Sequence, residues 1–486
     1  MLIMPVSEKM PLLKNNVDSK SDQKEKKEGL CSSFGKFMRS IQVEPVVLCT
    51  AFGVGIDNVF LTILFVDKVC DVQLNYSAEV CTNLDSGDYP DQENEVQKLV
   101  SLYGMYKHFV EFLPMIFGIL LLSGWSESHG LKTPLIIANS GYLVKCICLM
   151  ACSHWWFLSP NYVLWSILPV GMTGGMGALF MCIYSFIGLT VDEKSRTTRM
   201  SMIVVIEYSA AAVGSVLGDF IFQKYRYFGV FAVQAICFLI CVLYIMIFLD
   251  NPIPKQQTNE VKASKSLVSG MKNTLTVAFK KREDGGRAKV ISHIAVIAIY
   301  ICMMAVSNFY ILYTRKMFDW EYEDNSFWSA FSIPCGVIGA LVFLPFLSSV
   351  LKMEDSLLSF TGFISAMFNY TLQATAPRGW VMYLASAIGV CSSIVCPAAR
   401  SALSKTVGSE EVAAVFAVVS LAESLVPLLD NPIFTGIYYY TVDSFSGTVF
   451  AMAAVLACIG ACIETWVYTR YPEKKSGSIS PNANPY

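Results

Sequence analysis

Apolar stretches recur along the chain with short polar breaks between them, and roughly twelve are long enough, at about 20 residues, to cross the hydrocarbon core of a bilayer. They begin near Glu44, Lys98, Pro134, Asn161, Met200 and Phe228, then near Val290, Ser326, Ser356, Trp380, Val412 and Gly447. Several are interrupted by Gly, Pro or a charge, as expected of helices that line a cavity and not lipid alone. The pattern predicts an all-α membrane protein with the layout 1–43 tail, 44–249 first six-helix half, 250–289 polar link, 290–470 second half and 471–486 tail. No residue-level repeat relates the halves.

Composition agrees with this reading: 54% of the 486 residues are hydrophobic and only 15% charged. The formal net charge of -2 and the clustering of Lys and Arg at span ends argue against a nucleic-acid partner. Basic residues crowd the N-terminal tail (Lys20, Lys24, Lys26, Lys27, Lys36, Arg39) and the link (Lys280, Lys281, Arg282, Arg287, Lys289), which places both, and hence both termini, in the cytosol. The acidic loop 67–97 then lies on the far side, while Lys224, Arg226, Arg315 and Lys316 are external exceptions. That loop carries Cys70, Cys81 and the glycosylation sequon Asn75-Tyr76-Ser77, suited to a lumenal or extracellular face. The tail is polar from Pro5 to Gly29 and is expected to be a disordered segment, not a cleavable signal. Its Glu8, Leu12 and Leu13 fit an acidic dileucine sorting signal, whose partner would be a sorting adaptor.

Enzyme signatures are missing. No CxxC pair, Cys/His zinc spacing, HExxH, Walker-type loop or nucleotide-binding Gly fingerprint is present, so neither a metal nor an organic cofactor is expected. Chemistry is to be sought in charges inside spans, each of which costs about 2.5 to 3.5 kcal/mol at a helix centre and is kept where it works or pairs. These are Asp57, Lys107, His108, Glu111, Lys145, Glu207, Asp219, Arg400, Glu423 and Asp430. Glu207 lies about two turns into an apolar run, where a carboxyl can load and release a proton. Lys107 and Glu111 are spaced to pair along one helix, beside His108, which could instead join a proton relay. Asp57 has no partner on its own helix, leaving Lys145 or a bound cation. Glu423 and Asp430, seven apart on a span broken by Pro427 and Pro432, are expected on one side of a kinked helix. Arg400 can grip an anion bidentately or snorkel to headgroups.

The polar stretch Ser123-Gly-Trp-Ser-Glu127-Ser-His-Gly130-Leu-Lys132-Thr-Pro134 reads as a tight turn between the second and third spans, with Glu127, Gly130 and Lys132 as its acid, hinge and base. It resembles the signature loop of the major facilitator superfamily, with Ser123, Glu127 and Leu131 replacing the usual Gly, Asp and first basic residue. Trp125 to Gly130 is most similar to the proton-coupled folate transporter family (solute carrier family 46), and the resemblance extends over residues 44 to 470. It implies two six-helix halves, driven by a proton gradient without a cofactor. It also implies proton coupling at Glu207, in the stretch from Ser195, and substrate binding at Arg400, in Cys396-Pro-Ala-Ala-Arg400. Met176 and Ser307-Asn308 stand where the family has an Asp and a His. Family members join a Cys of the first external loop to one after the seventh span, where residues 315–325 hold none. A Cys70–Cys81 bond is expected here, with two free thiols the alternative.

These readings converge on a proton-coupled symporter of a folate-like or related organic anion, with Glu207 and His108 handling the proton and Arg400, Asp57, Lys107, Glu111 and Glu423 around the substrate. A lysosomal exporter of muropeptides, cyclic dinucleotides or conjugates is the alternative, and a non-transporting receptor on the same fold is a third. The membrane is either the plasma membrane or a lysosomal one. Besides lipid, anion, proton and the sorting adaptor, nothing sets a partner or an oligomeric state.

Overall fold

The computed structural model describes residues 42–84, 89–252, 267–282, 285–320, 322–441 and 444–471. The sorting residues Glu8, Leu12 and Leu13 lie outside them, as does the side chain of Glu127. The principal helices are α1 (Glu44–Lys68), α2 (Pro90–His129), α3 (Lys132–His154), α4 (Gly175–Thr190), α5 (Glu193–Phe248) and α6 (Leu267–Val277). They are followed by α7 (Gly286–Met304), α8 (Tyr322–Ile338), α9 (Asp355–Ala374), α10 (Trp380–Ile388), α11 (Val395–Thr406), α12 (Val412–Thr441) and α13 (Thr448–Arg470).

Ten helical stretches among the described residues are long and apolar enough to span a membrane. The longest, α5, has 56 residues and breaks at Arg226, whose φ of 54° and ψ of -157° are not helical, so two helices meet there. With 20 residues, α9 packs along α13 inside the bundle.

Short side chains set the packing of α1 on α5. A Cβ on Gly55 would run into the carbonyl of Ala211, and one on Gly214 into the carbonyl of Phe52, so two backbones touch where both helices lack a side chain. Ser215 Oγ donates to the Gly55 carbonyl at 2.9 Å across the same contact.

The expected turn at 123–134 is shorter than its polarity suggests. Residues through His129 continue α2, and Lys132 already opens α3, so only Gly130 and Leu131 join the helices. Gly130 takes a left-handed φ of 83° as it ends α2. Asn251 then closes the corner: its Nδ2 donates to the His129 carbonyl at 2.9 Å, and the Lys132 backbone N–H donates to its Oδ1 at 3.1 Å. Polar residues extend α2 because they find partners inside the protein: Ser123 and Ser126 are buried, and Ser126 Oγ donates to the Ser123 carbonyl at 2.7 Å.

The link helix α6 bridges the two halves at this end, here called the inner end. Its Thr274 hydroxyl meets Ser123 of α2 at 2.9 Å, while just beyond it Arg282 Nη2 donates to Glu411 Oε2 at 2.7 Å ahead of α12. Lys280 pairs with the same carboxylate. Burial pushes the Glu411 carboxyl up, but the hydrogen bonds from Lys280 and Arg282 outweigh it and hold the group below the usual carboxylate range.

At the opposite end, Cys70 and Cys81 form a disulfide with their Cα atoms 5.9 Å apart. Asn75 between them is exposed with φ of 54°, a conformation Asn tolerates well, and Ser77 caps the short helix Ala78–Thr82.

Candidate functional site

Helices of both halves converge on a cavity of about 260 Å³. The first half contributes Phe112 from α2, Phe180 from α4, and Glu207 and Tyr208 from α5; the second adds Tyr300 from α7, Arg400 from α11 and Glu423 from α12. Its wall is therefore aromatic and aliphatic, with one cation and two carboxyls.

Arg400 does not snorkel. It is buried, its guanidinium carbon sits 4.0 Å from the centroid of the Tyr184 ring, and its Nη2 pairs with Glu423. Its Nε is buried without a hydrogen-bond partner, which leaves a donor for an incoming acceptor. Glu207 makes no hydrogen bond or ion pair to a described residue, yet it stands within electrostatic range of both Arg400 and Glu423. Sequence reasoning singled out all three residues, and the structure brings them together.

The other candidates lie elsewhere. Asp57 accepts from Lys145 Nζ at 2.6 Å in a buried pair within the first half, and neither lines the cavity. The Lys107–Glu111 pair expected along α2 is not formed: no ion pair joins them among the described residues. Glu111 instead lies in electrostatic range of Lys145. The His108 ring stacks on Phe112 with centroids 5.8 Å apart, so it reaches the cavity only through that neighbour. Asp430 is buried on α12 and does not share the cavity with Glu423, while Asp219 is exposed and accepts from Gln223 at 2.8 Å.

Below the cavity, towards the inner end, α5 is bonded to the second half by residues the sequence did not single out. Arg196 Nη1 donates to the Ser404 carbonyl at 3.1 Å and Thr197 Oγ1 to Asp355 Oδ1 at 2.8 Å. The Thr197 and Ser401 hydroxyls are 2.7 Å apart, and Ser201 Oγ donates to the Ala340 carbonyl at 2.5 Å. Small hydroxyls in helices carry no signal of their own, so only the fold reveals this seal. Among the described residues no group of three His, Cys, Asp or Glu could hold a metal ion.

The sequence pattern of the Major Facilitator Superfamily matches residues 108–429, a segment that holds the whole cavity. The chain belongs to this superfamily. It is thus a multi-pass membrane transporter, and its similarity to solute carrier family 46 runs over most of its length. The human lysosomal proton-coupled steroid conjugate and bile acid symporter SLC46A3 is 24% identical over 449 residues, covering 88% of this chain and 94% of that one. A probable peptidoglycan muropeptide transporter of Drosophila melanogaster is 21% identical, with 86% and 83% covered. The proton-coupled folate transporter of Bos taurus is 21% identical, with 76% and 79% covered. Among solved structures, the human organic anion transporter MFSD10 superposes with a TM-score of 0.62 at 12% identity, covering 86% of this chain and 99% of its own. The proton:xylose symporter XylE superposes with a TM-score of 0.62 at 13% identity, with 90% and 97% covered. These structural likenesses show a shared fold.

Proposed function

We propose that this transporter is a proton-coupled symporter of an amphipathic organic anion, with Glu207 carrying the proton and Arg400 receiving the anion. The observation that supports it is the cavity itself, where an unpaired carboxyl stands beside an arginine with an unused Nε donor.

Charge explains the coupling. With Glu207 protonated, Arg400 and Glu423 leave the empty cavity neutral. An entering anion takes a share of Arg400 and brings the site to one negative charge. Were Glu207 ionised as well, the site would hold two in a poorly solvated space, so proton and anion each favour the other's binding. The aromatic wall suits the apolar body of such a solute, and the seal around Thr197 and Ser201 keeps it from the inner end until the halves move.

The curated relatives named for lysosomal steroid-conjugate symport and for muropeptide transport favour export from a lysosomal lumen, as does the dileucine pattern in the tail. In that setting the anion and proton travel the same way, into the cytosol.

Purified protein in liposomes with an alkaline interior tests the reading, using a labelled steroid sulfate, folate and a muropeptide as separate probes. Acid outside should accelerate uptake of at least one, and Glu207→Gln should flatten that dependence. Wild-type uptake by Glu207→Gln at every pH would sink the assignment. Arg400→Lys keeps the charge but loses the planar fork, and is expected to weaken binding of the transported probe about tenfold.

A further inference from the structure

Glu464 lies on α13, fully buried, and neither carboxyl oxygen has a hydrogen-bond partner. Its nearest base is His293 of α7, whose Nε2 is 3.9 Å from Glu464 Oε2. The hydroxyls of Ser356 and Ser359 on α9 flank the carboxyl; Ser356 Oγ is also 3.5 Å from His293 Nε2, and Ser359 Oγ donates to the Val395 carbonyl at 3.4 Å.

One contact fixes the proton count. His293 Nδ1 is 2.8 Å from the carbonyl of Lys289, which can only accept, so Nδ1 carries a hydrogen. That leaves Nε2 facing Glu464. A bare carboxylate beside a neutral imidazole would be a fully buried charge with no cation against it and only two serine hydroxyls near it, so the pair holds one proton, as imidazolium with carboxylate or as two neutral groups.

The surroundings connect this proton to the seal below the cavity. The residue before Ser356 is Asp355, which acts electrostatically on Glu464 and accepts both Thr197 Oγ1, from the other half, and Lys405 Nζ at 2.6 Å. Lys405 Nζ also reaches Thr197 Oγ1 at 3.4 Å. Among the charged groups on the packed helices, Asp355 of α9 and, through it, Lys405 of α11 bear on the pair. Lys289 offers its backbone carbonyl from α7 itself, while Arg400 of α11 and Glu423 of α12 face the cavity.

We infer that His293 and Glu464 form a second proton-holding site, separate from the transport cavity, whose occupancy decides whether the Thr197–Asp355–Lys405 contact holds the inner end shut. With the proton present, Lys405 answers Asp355 alone and the contact stands. When the proton leaves, two neighbouring carboxylates compete for one ammonium, Lys405 is drawn towards Glu464 and away from Thr197, and the contact is weakened to the Thr197 bonds with Asp355 and Ser401. The inner end then opens only towards a compartment poor in protons.

The site does not require Glu207 to be the coupling residue, and its test needs no substrate. Hydrogen exchange would be followed in peptides covering 193–204 and 395–407 of the full-length protein in nanodiscs, at pH 6 and pH 8, corrected for the intrinsic rate at each pH. In the wild type, corrected exchange should rise about tenfold at pH 8. Glu464→Gln, neutral at both pH values, should remove the difference, His293→Asn should do the same, and Glu207→Gln should leave it intact. A wild type with equal protection at both pH values would overturn the inference without any variant, as would a folded Glu464→Gln that keeps the wild-type difference. Loss of the difference in Glu207→Gln would assign the effect to the transport cavity and also overturn it. Loss of acid-stimulated uptake in Glu207→Gln alone bears on the proposed function and leaves this site untouched.

Discussion

Lys145 and Asp57 neutralise each other inside the first half at 2.6 Å, and neither has much water to fall back on. Removing one partner strands the other, so Asp57→Asn or Lys145→Met alone is expected to cost about 3–5 kcal/mol of stability, and the double variant distinctly less. Thermal unfolding of the detergent-purified variants checks this. The same reasoning shows why single charges were unevenly legible in the sequence. Glu207 and Arg400 stood out because apolar residues surround them along the chain. Glu464, six residues before the end of α13, and His293 on α7 were not singled out. Their significance comes from facing each other across helices, which no spacing within one segment reveals. The Lys107–Glu111 spacing failed for the converse reason: proximity along a helix permits a pair but does not compel one when Lys145 draws on Glu111 from α3.

Helices were far more legible than their contacts. The apolar runs expected from Glu44, Pro134, Trp380 and Val412 begin within two residues of α1, α3, α10 and α12, because an apolar run ends where water can take over the backbone bonds. The polar extension of α2 beyond its apolar run, from Pro90, gave no such signal. At this scale the contact between α1 and α5 is the sensitive point. Gly55→Leu would insert a side chain into the Ala211 backbone, and is expected to destabilise the protein by about 1–3 kcal/mol and separate the helices. An engineered cysteine pair across the contact should then cross-link more slowly. At the corner between α2 and α3, Gly130→Val forces a β-branched residue into a left-handed φ against Asn251, and a lower melting temperature is expected.

Across the whole molecule, the link ties both halves together through Glu411. Because that carboxyl is held below its unfolded-state value, its contribution is present at pH values above about 4.3, the ordinary range for Glu, and fades as pH falls through the lower folded value. Glu411→Gln removes it at every pH, so exchange in residues 274–282 should rise in the variant at pH 7 and match the wild type near pH 3. At the other end, the exposed Asn75 inside the disulfide loop should carry a glycan if that face is extracellular or lumenal, seen as a mass lost in Asn75→Gln. The superfamily's two-half layout was readable from the chain as a whole, whereas the cavity required three residues from three separate helices to meet.

The hydroxyls that join the halves below the cavity have a further consequence. Thr197, Ser201 and Ser401 bond to oxygens and Ser404 accepts from Arg196 Nη1, all groups that water can satisfy nearly as well, so each bond contributes only about 0.5–1.5 kcal/mol net, or about 1.5–3 kcal/mol where Asp355 or Arg196 takes part. Such a seam behaves like a zip fastener and not a weld: each bond is weak enough to be exchanged for solvent, and the row resists parting only while its neighbours remain engaged. A transporter must undo and remake this surface in every cycle, and a seam of interchangeable hydroxyls keeps the work of each passage small.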